Sequence, residues 1–300
     1  MASAASESGE NISVGIDVGG TKCLAVAIRE DTIIDESRRE TPSANLLAEH
    51  LADMVSAIEA RLGHHVSSLG VGAPGLVTPG GIVRASPNLR EAEDVPLGDR
   101  LREMSRWRVH VENDATAAAY AEWSTGAARG ARHLMMVTLG TGIGGGYVVD
   151  GRVHRGANGF AGEIGHMVVV ADGIACPCGK RGCWERYASG SALRDLAGGE
   201  DGAIVASRAA HGDADALEVM RTFSDWVALG LANLVNAFDP EVIVLGGGVV
   251  ESADMFLPSV QDRLREHLYS AERRPCPDVL AAVHGERSGA IGAALLGRLH

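Results

Sequence analysis

Residues 14–28 read Val-Gly-Ile-Asp-Val-Gly-Gly-Thr-Lys-Cys-Leu-Ala-Val-Ala-Ile. Two apolar runs flank a glycine turn, which predicts a strand, a tight turn and a second strand. The same order returns where residues 134–139 lead into the glycine-rich run 140–146 and then into 147–149. Two lobes built on related topology would produce this echo, and so would chance in a chain with 39 glycines.

The remaining apolar patterns alternate between the strand period and the helix period. Strands are predicted at residues 69–73, 109–113, 241–245 and 279–283, and helices at 43–62, 97–107, 115–123, 191–220, 223–238, 256–268 and from 288 onward. This alternation predicts an α/β chain with mainly parallel sheets that are covered on both faces. A hinge is predicted at residues 114–123, where the second strand–turn–strand unit begins.

Composition and charge argue against two broad function classes. The 300-residue chain has a net charge of −12, and it lacks the Lys and Arg clusters that contact nucleic acid backbones. No apolar run approaches the roughly 20 residues that span a bilayer. Residues 1–10 lack the apolar centre of a secretion signal. We therefore expect a cytoplasmic protein without nucleic acid or membrane partners, in which reduced thiols favour metal binding over disulfides.

Three glycine turns follow predicted strands: Gly19-Gly20-Thr21, Gly140-Thr141-Gly142 and Gly246-Gly247-Gly248. Glycine lets backbone amides approach phosphate oxygens closely. None of the turns matches the P-loop pattern or the dinucleotide fingerprint. One such turn is more often structural, but three in one chain predict phosphates that are held between two hairpins.

Asp17 and Lys22 flank the first of these turns. A carboxylate at the end of a strand can order the water shell of a nucleotide-bound Mg²⁺, or it can cap the turn. Lys22 can neutralise a phosphate or point to solvent. These residues predict a magnesium–nucleotide site, and the structural alternatives stay open at this point.

Asp114 follows a predicted strand and precedes the alanine-rich segment 115–123. The simple interpretation is a helix N-cap, for which Asp is well suited. A strand end in an α/β fold is also where ligands bind, and the helix dipole keeps a carboxylate ionised there. Asp114 is therefore a candidate base that accepts a hydroxyl proton during phosphoryl transfer.

A histidine and three cysteines lie close together in sequence: His166, Cys176, Cys178 and Cys183. One imidazole and three thiolates complete a tetrahedral zinc site with no position left for water, which is typical of a structural metal. Disulfides or idle thiols are the alternatives, but one intervening residue gives Cys176 and Cys178 poor geometry for bridging each other.

Glu163 and Glu185 flank this cluster and are too polar to be packing residues. They are candidates for the groups that the metal holds in place. His166 can ligate zinc through one ring nitrogen and offer the other nitrogen to a substrate hydroxyl.

Three motifs together resemble the ROK family of sugar kinases and sugar-responsive repressors, most closely its glucokinases. Asp17-Val-Gly-Gly-Thr-Lys22 looks like the first phosphate motif of the family, and Leu139-Gly-Thr-Gly-Ile-Gly-Gly-Gly146 looks like the second. Cys176-x-Cys178-Gly-x-x-Gly-Cys183-x-Glu185, with His166 upstream, resembles the family's zinc signature. The resemblance runs from about residue 12 to the C-terminus.

The resemblance implies a two-lobed actin-like ATPase fold of the ribonuclease H-like class, with the active site in the interlobe cleft. The smaller α/β lobe would comprise residues 1–115, joined by a C-terminal helix at 288–300. The larger α/β lobe would comprise residues 116–287 and carry the zinc loop. The lobes would close on the sugar and expel competing water.

The resemblance also implies roles for individual residues. Asp114 resembles the catalytic base, and Gly72-Ala-Pro-Gly75 resembles a segment that lines the sugar pocket. Sugar contacts are implied for Asn88, Asn113, Asp114, Glu163, His166 and Glu185. Contacts to the nucleotide and its magnesium are assigned to Asp17, Gly19, Gly20, Thr21, Lys22, Gly140, Thr141, Gly142, Gly247 and Gly248. Ala115-Thr116 departs from the Ala-Asn of many relatives, one helical step past the base.

The implied reaction is ATP-dependent phosphorylation of glucose at its 6-hydroxyl, with ATP, Mg²⁺ and structural Zn²⁺, in a homodimer or homotetramer. A kinase for mannose, fructose or an N-acylhexosamine is one alternative. A sugar-sensing repressor is another, but the roughly one dozen residues before the first predicted strand leave no room for the helix-turn-helix of such regulators. Polyphosphate as donor is disfavoured because polyphosphate-specific relatives tend to lack the zinc signature.

Overall fold

The computed structural model describes residues 11–86, 89 and 91–299. The chain forms two compact units. The first unit comprises Met1–Asp114 with Ala293–His300, and the second unit comprises Ala115–Gly292. Among the described residues, no helix combines the length and the apolar character that crossing a membrane requires.

The first unit is built on a five-stranded sheet. The helices of the unit are α1 (Leu47–Leu62) and α2 (Leu97–Met104). The strands of the whole unit are β1 (Ile12–Val18), β2 (Lys22–Arg29), β3 (Thr32–Glu40), β4 (Ser68–Ala73), β5 (Leu76–Val77), β6 (Val83–Ala85), β7 (Glu93–Val95) and β8 (Arg108–Asn113). The large sheet has the order β3-β2-β1-β4-β8, and β5, β6 and β7 form a small separate sheet. Strand β1 pairs antiparallel with β2 and parallel with β4, which pairs parallel with β8.

Helix α1 covers this sheet because its apolar side chains recur with helical spacing. Leu47, Leu51, Val55 and Ile58 are buried in the core of the first unit. Gly63 ends the helix in the left-handed conformation at φ +68°, where its backbone N–H bonds to the carbonyl of Glu59. The predicted helix at 43–62 is thus confirmed, with its first residues forming a short 3-10 turn.

The second unit repeats this architecture. Helix α3 (Asp114–Ser124) leads into it, followed by β9 (Leu134–Leu139), β10 (Ile143–Val149), β11 (Arg152–Val153), α4 (Glu185–Ala188), α5 (Gly190–Leu196), α6 (Gly202–Ala210), α7 (Ala214–Phe238), β12 (Val242–Gly246), α8 (Ala253–His267), β13 (Asp278–Ala281) and α9 (Ser288–Gly297). The sheet order is β11-β10-β9-β12-β13. Both sheets combine antiparallel strands with two parallel strands in the same order. The repeated strand–turn–strand pattern in the sequence therefore reflects two units with the same sheet topology.

The prediction of mainly parallel sheets is wrong. Each large sheet is mixed, because β2 pairs antiparallel with both β1 and β3, and β10 pairs antiparallel with both β9 and β11. The reason lies in tight turns between adjacent strands, which reverse the chain and so produce hairpins; glycine turns join β1 to β2 and β9 to β10, and Glu30-Asp31 joins β2 to β3.

The predicted single helix at 191–220 is also wrong. The chain breaks at Gly198 and Gly199, with φ +69° and +100°, and again at Gly212, with φ +83°. Asp201 and Asp213 then cap new helices by accepting hydrogen bonds from Ala203 and Ala216 backbone amides. The third helix, α7, continues to Phe238 and absorbs the separate helix predicted at 223–238.

Candidate functional site

The first glycine turn is a closed hairpin loop between β1 and β2. The backbone N–H of Gly19 donates to the carbonyl of Lys22 at 3.0 Å, and the Thr41 hydroxyl donates to the carbonyl of Gly19 at 2.6 Å. Gly20, Thr21 and Lys22 are exposed at the tip of the turn. The turn is therefore rigid at its base and open at its tip, as a phosphate-binding loop requires.

Asp17 lies at the carboxyl end of β1, where three parallel strands end at the same edge of the sheet. Gly72 on β4 is in register with Asp17 on one side and with Glu112 on the other. The next residues along β8 are Asn113 and then Asp114, which begins α3. Strand register thus brings the predicted magnesium ligand and the predicted base to one edge.

The electrostatics of this edge are set by two neighbouring carboxylates. Burial, and to a smaller extent the charge of Asp114, raise the pKa of Asp17 from 3.8 to about 7. A carboxylate that is difficult to ionise beside a second acid would gain from a nearby cation. The site therefore suits magnesium that accompanies a nucleotide.

We expect Asp17→Asn to stabilise folding at pH 8. Because the pKa of Asp17 is raised to about 7, its protonated form favours the folded state fully below about pH 4, and this contribution is lost as the pH rises through 7. The loss has an upper limit on the order of 4 kcal/mol at pH 8, which asparagine would avoid. Urea unfolding should show a larger gain at pH 8 than at pH 5.

Asp262→Asn, at an exposed position on α8, is the matched control for this measurement. It should change the free energy of unfolding equally at the two pH values. A gain for Asp17→Asn that is absent, or that does not depend on pH, would contradict the raised pKa.

Asn113 and the segment 72–75 lie together in the first unit. The Asn113 amide donates to the carbonyl of Gly75 at 3.2 Å. Gly75 has φ +91°, and a side chain there would overlap the carbonyl of Ala85, so this position requires glycine. Asn88, another predicted sugar contact, lies outside the described residues.

The four predicted metal ligands converge in the second unit. One ligand atom from each of His166, Cys176, Cys178 and Cys183 lies within 4.8 Å of every other. The Sγ atoms of Cys178 and Cys183 are 3.6 Å apart, and Cys176 Sγ is 3.9 Å from His166 Nδ1. Two sulfur ligands at tetrahedral angles around zinc lie about 3.8 Å apart, so the donor set and its spacing fit zinc.

The histidine ring divides its two nitrogens between the cluster and the neighbouring acids. His166 Nδ1 faces Cys176 and lies 3.5 Å from Glu185 Oε1, whereas Nε2 lies 3.8 Å from Glu163 Oε2. The Cys176 thiol donates to Glu185 at 3.0 Å. Glu163, His166 and Glu185 therefore form one polar group beside the cluster, as predicted from their positions in sequence.

The environment of Glu163 differs from that of an ordinary surface acid. The Glu163 side chain is 41% exposed; its partial burial raises the pKa of the carboxyl group, the nearby His166 opposes this rise, and Glu185 adds to it. A carboxylate in such surroundings is a strong acceptor for hydroxyl groups of a polar ligand.

The second glycine turn lies against the segment that follows the metal cluster. The Gly190 N–H donates to the carbonyl of Gly140 at 2.8 Å, and the Gly140 N–H donates to the carbonyl of Gly142 at 3.0 Å. A Cβ on Gly142 would lie 2.6 Å from Glu185 Oε2. The turn predicted to bind phosphate, which also carries Thr141, thus contacts Glu185, a residue predicted to bind sugar.

Gly247 and Gly248 follow β12 beside the same turn. Gly247 has φ +85°, and a side chain there would overlap the backbone of Leu139 at the end of β9. Strands β9 and β12 are parallel neighbours, so their two glycine turns meet at one edge of the sheet. All five glycine and threonine positions predicted in the second unit are therefore brought together.

The glycines of β10 have a role that the sequence analysis missed. Side chains on Gly144 and Gly146 would press on Ala115 and Ala119 of α3, whereas one on Gly145 would press on Ile164 and the carbonyl of Gly162. The strand alternation places α3 on one face and the segment 162–165 on the other. Because all three residues are glycine, their alternation between the two faces can be recognised only when both packing neighbours, α3 and the segment 162–165, are known.

Comparison with known proteins identifies the family. The sequence profile of the ROK family matches residues 13–299. The chain belongs to the ROK family. The resemblance read from the motifs is confirmed, and so is the two-lobed actin-like ATPase fold.

Three ROK relatives illustrate the range of the family. A glucokinase of Streptomyces coelicolor is 34% identical over 313 residues, which cover 96% of this chain and 98% of that protein. An N-acetyl-D-glucosamine kinase of Vibrio parahaemolyticus is 33% identical over 94% of this chain and 98% of its own. The crystal structure of a ROK family glucokinase from Streptomyces griseus in complex with glucose and AMPPNP has a TM-score of 0.87 and 35% identity, covering 97% of this chain and 100% of that chain.

Proposed function

We propose that this ROK protein is an ATP-dependent hexose kinase that phosphorylates glucose at its 6-hydroxyl. The observation that carries the proposal is the pairing of Asp17 and Asp114 at the carboxyl ends of parallel strands, where burial and the neighbouring charge raise the pKa of Asp17. Phosphoryl transfer needs one acid near the magnesium of the nucleotide and another near the acceptor hydroxyl. The similarity to glucokinases supports glucose as the acceptor.

Asp114 would act as the base. It would accept the proton of the glucose 6-hydroxyl while that oxygen attacks the γ-phosphorus of ATP, and the bond to the β–γ bridging oxygen breaks to release ADP. An Asp of modest basicity suffices because such a transition state is loose. Its place at the start of α3 puts the carboxylate at the positive end of the helix dipole.

Polar side chains in each unit are the proposed sugar contacts. Asn113 of the first unit offers an amide beside Gly75, and Asn88 is assigned the same role by its motif. In the second unit, His166 Nε2 and Glu163 face each other at 3.8 Å, so a sugar hydroxyl could bond to both. Glu185 would accept a further hydroxyl. Hydrogen bonds of this kind discriminate among isomeric hydroxyls by geometry.

The nucleotide would be bound by the glycine turns. Backbone amides of Gly20, Gly142, Gly247 and Gly248 would be the phosphate donors, with Thr21, Lys22 and Thr141 adding side chains. The N–H groups of Gly19 and Gly140 donate within their own turns and would hold the turns in shape. Magnesium, when bound with ATP, neutralises phosphate charge, and Asp17 would order its water shell. In the second unit, these turns meet where β9 and β12 end.

Zinc would be held by His166, Cys176, Cys178 and Cys183, whose ligand atoms lie within 4.8 Å of one another. A four-ligand site supplies rigidity and leaves no position for catalysis. The cluster would fix the ring of His166, which is itself a ligand, and it would hold the backbone at Glu185, which follows the ligand Cys183 by two residues.

A sugar panel tests the proposal. We expect ADP release with ATP and glucose to give the highest kcat/KM among glucose, mannose, fructose, N-acetylglucosamine and N-acetylmannosamine, because of the likeness to glucokinases. An assay without sugar measures background ATP hydrolysis, and an arm with polyphosphate in place of ATP tests the donor. ADP release that no sugar stimulates would reject a sugar kinase.

The second candidate is an N-acetylglucosamine kinase, which the 33% identity to the Vibrio parahaemolyticus enzyme favours. A higher kcat/KM with N-acetylglucosamine than with glucose would establish it and leave the residue roles above unchanged. The homodimer or homotetramer and the cytoplasmic location stay predictions.

A further inference from the structure

Glu122 is a fully buried carboxylate in the otherwise alanine-rich helix α3. A buried charge requires polar partners, and this carboxylate has four. Oε2 accepts from the backbone amides of Ala127 at 3.0 Å and Val283 at 3.2 Å. Oε1 accepts from the backbone amide of His284 at 3.0 Å and from the Ser288 hydroxyl at 2.9 Å.

Three of these donors belong to one segment, residues 283–288, which links β13 to α9. A second contact supports the same joint, because Thr125 Oγ1 and His284 Nε2 are 3.0 Å apart. Gly126 must be glycine since a Cβ there would overlap the Glu122 carboxylate. The end of α3 and the start of α9 are thus fixed to each other through Glu122.

Segment 283–288 also borders the predicted nucleotide site. Its 3-10 turn, Gly285–Arg287, packs beside the 3-10 turn Gly248–Ser252 that follows Gly247. Glu122 therefore lies behind the turn assigned to ATP and holds the segment that supports it.

We propose that Glu122 is a positioning residue for the nucleotide, acting through segment 283–288 on the turn at Gly247 and Gly248. The inference rests on the proposed function, which assigns that turn to ATP. Because Asp114 begins the same helix, α3 carries the proposed base at one end and the support of the nucleotide site at the other.

Glu122→Gln tests this role. The glutamine amide would direct a donor toward backbone N–H groups, which leaves two of the four donors without an acceptor. We expect the KM for ATP to rise by about tenfold while the KM for glucose stays within about twofold. The thermal shift given by AMPPNP should shrink, and the shift given by glucose should stay.

Glu59→Gln is the matched control. Glu59 also accepts a backbone amide, from Val66 at 2.8 Å, but it lies in the first unit. It should lower stability without separating the two KM values. If Glu122→Gln does not fold, Ser288→Ala removes one donor and should raise the KM for ATP in the same direction by a smaller factor.

The outcomes separate the inference from the proposed function. If the wild-type protein phosphorylates sugar and both KM values change equally or not at all in the variant, the positioning role is overturned. If the wild-type protein phosphorylates no sugar, the proposed function fails, and AMPPNP binding still decides the role of Glu122. Equal AMPPNP shifts in wild type and variant, or no AMPPNP shift in wild type, would overturn it.

Discussion

Asp114→Asn is expected to lower kcat by about 10²–10⁴, the range typical of a lost general base. Asparagine keeps the size and most of the hydrogen bonding of the side chain, but it cannot accept the proton of the sugar hydroxyl. Glucose should still bind, because the other predicted sugar contacts are unchanged. Initial rates and a glucose-induced thermal shift, measured on the same preparation, check both parts.

Asp201→Asn is the control for the helix-capping role. Asp201 accepts the Ala203 amide at the start of α6, so this change alters a helix N-terminus away from the site. It should leave kcat unchanged. Near-wild-type turnover in Asp114→Asn would mean that Asp114 only begins a helix.

Removal of the proposed zinc is expected to lower the affinity of the protein for the proposed sugar substrate. Binding of structural zinc to small peptides contributes roughly 10 kcal/mol or more to folding, and here the four ligands span residues 166–183. A chelator or Cys183→Ser should therefore disorder this segment, detected as faster amide hydrogen exchange. Because His166 is itself a ligand and Glu185 follows the ligand Cys183 by two residues, glucose affinity should fall more than AMPPNP affinity.

Cys276→Ser is the matched control, since this cysteine lies outside the cluster. It should retain bound zinc, measured by elemental analysis, together with glucose binding. Unchanged glucose affinity after complete zinc removal would contradict a supporting role for the metal.

The sequence predicted those parts of the site whose residues are neighbours along the chain. The cysteine–histidine cluster and its flanking acids lie within about 20 residues, so their spacing alone indicated a common site. Asp114 was recognisable because a strand end and a helix start adjoin it. Geometry at these positions is set mainly by local backbone structure.

Other features depend on distant parts of the chain. Glu122 bonds to Val283, His284 and Ser288, more than 150 residues away, and nothing in α3 indicates those partners. The helix breaks at Gly198 and Gly212 could have been predicted, because glycine followed by a capping Asp is a stop-and-start signal. The mixed sheets follow from the strand–turn–strand hairpins that the sequence does indicate, because the two strands of a hairpin are antiparallel.

The three consecutive glycines of strand β10 have a mechanical consequence. Across Gly144, Gly145 and Gly146, helix α3 and the segment 162–165 are separated by the thickness of a single polypeptide backbone. Such a wall has no flexible side chains that could absorb a displacement, so a shift of either neighbour is transmitted to the other. Segment 162–165, which carries the proposed sugar contact Glu163, and the helix that carries Glu122 are therefore expected to move as one body.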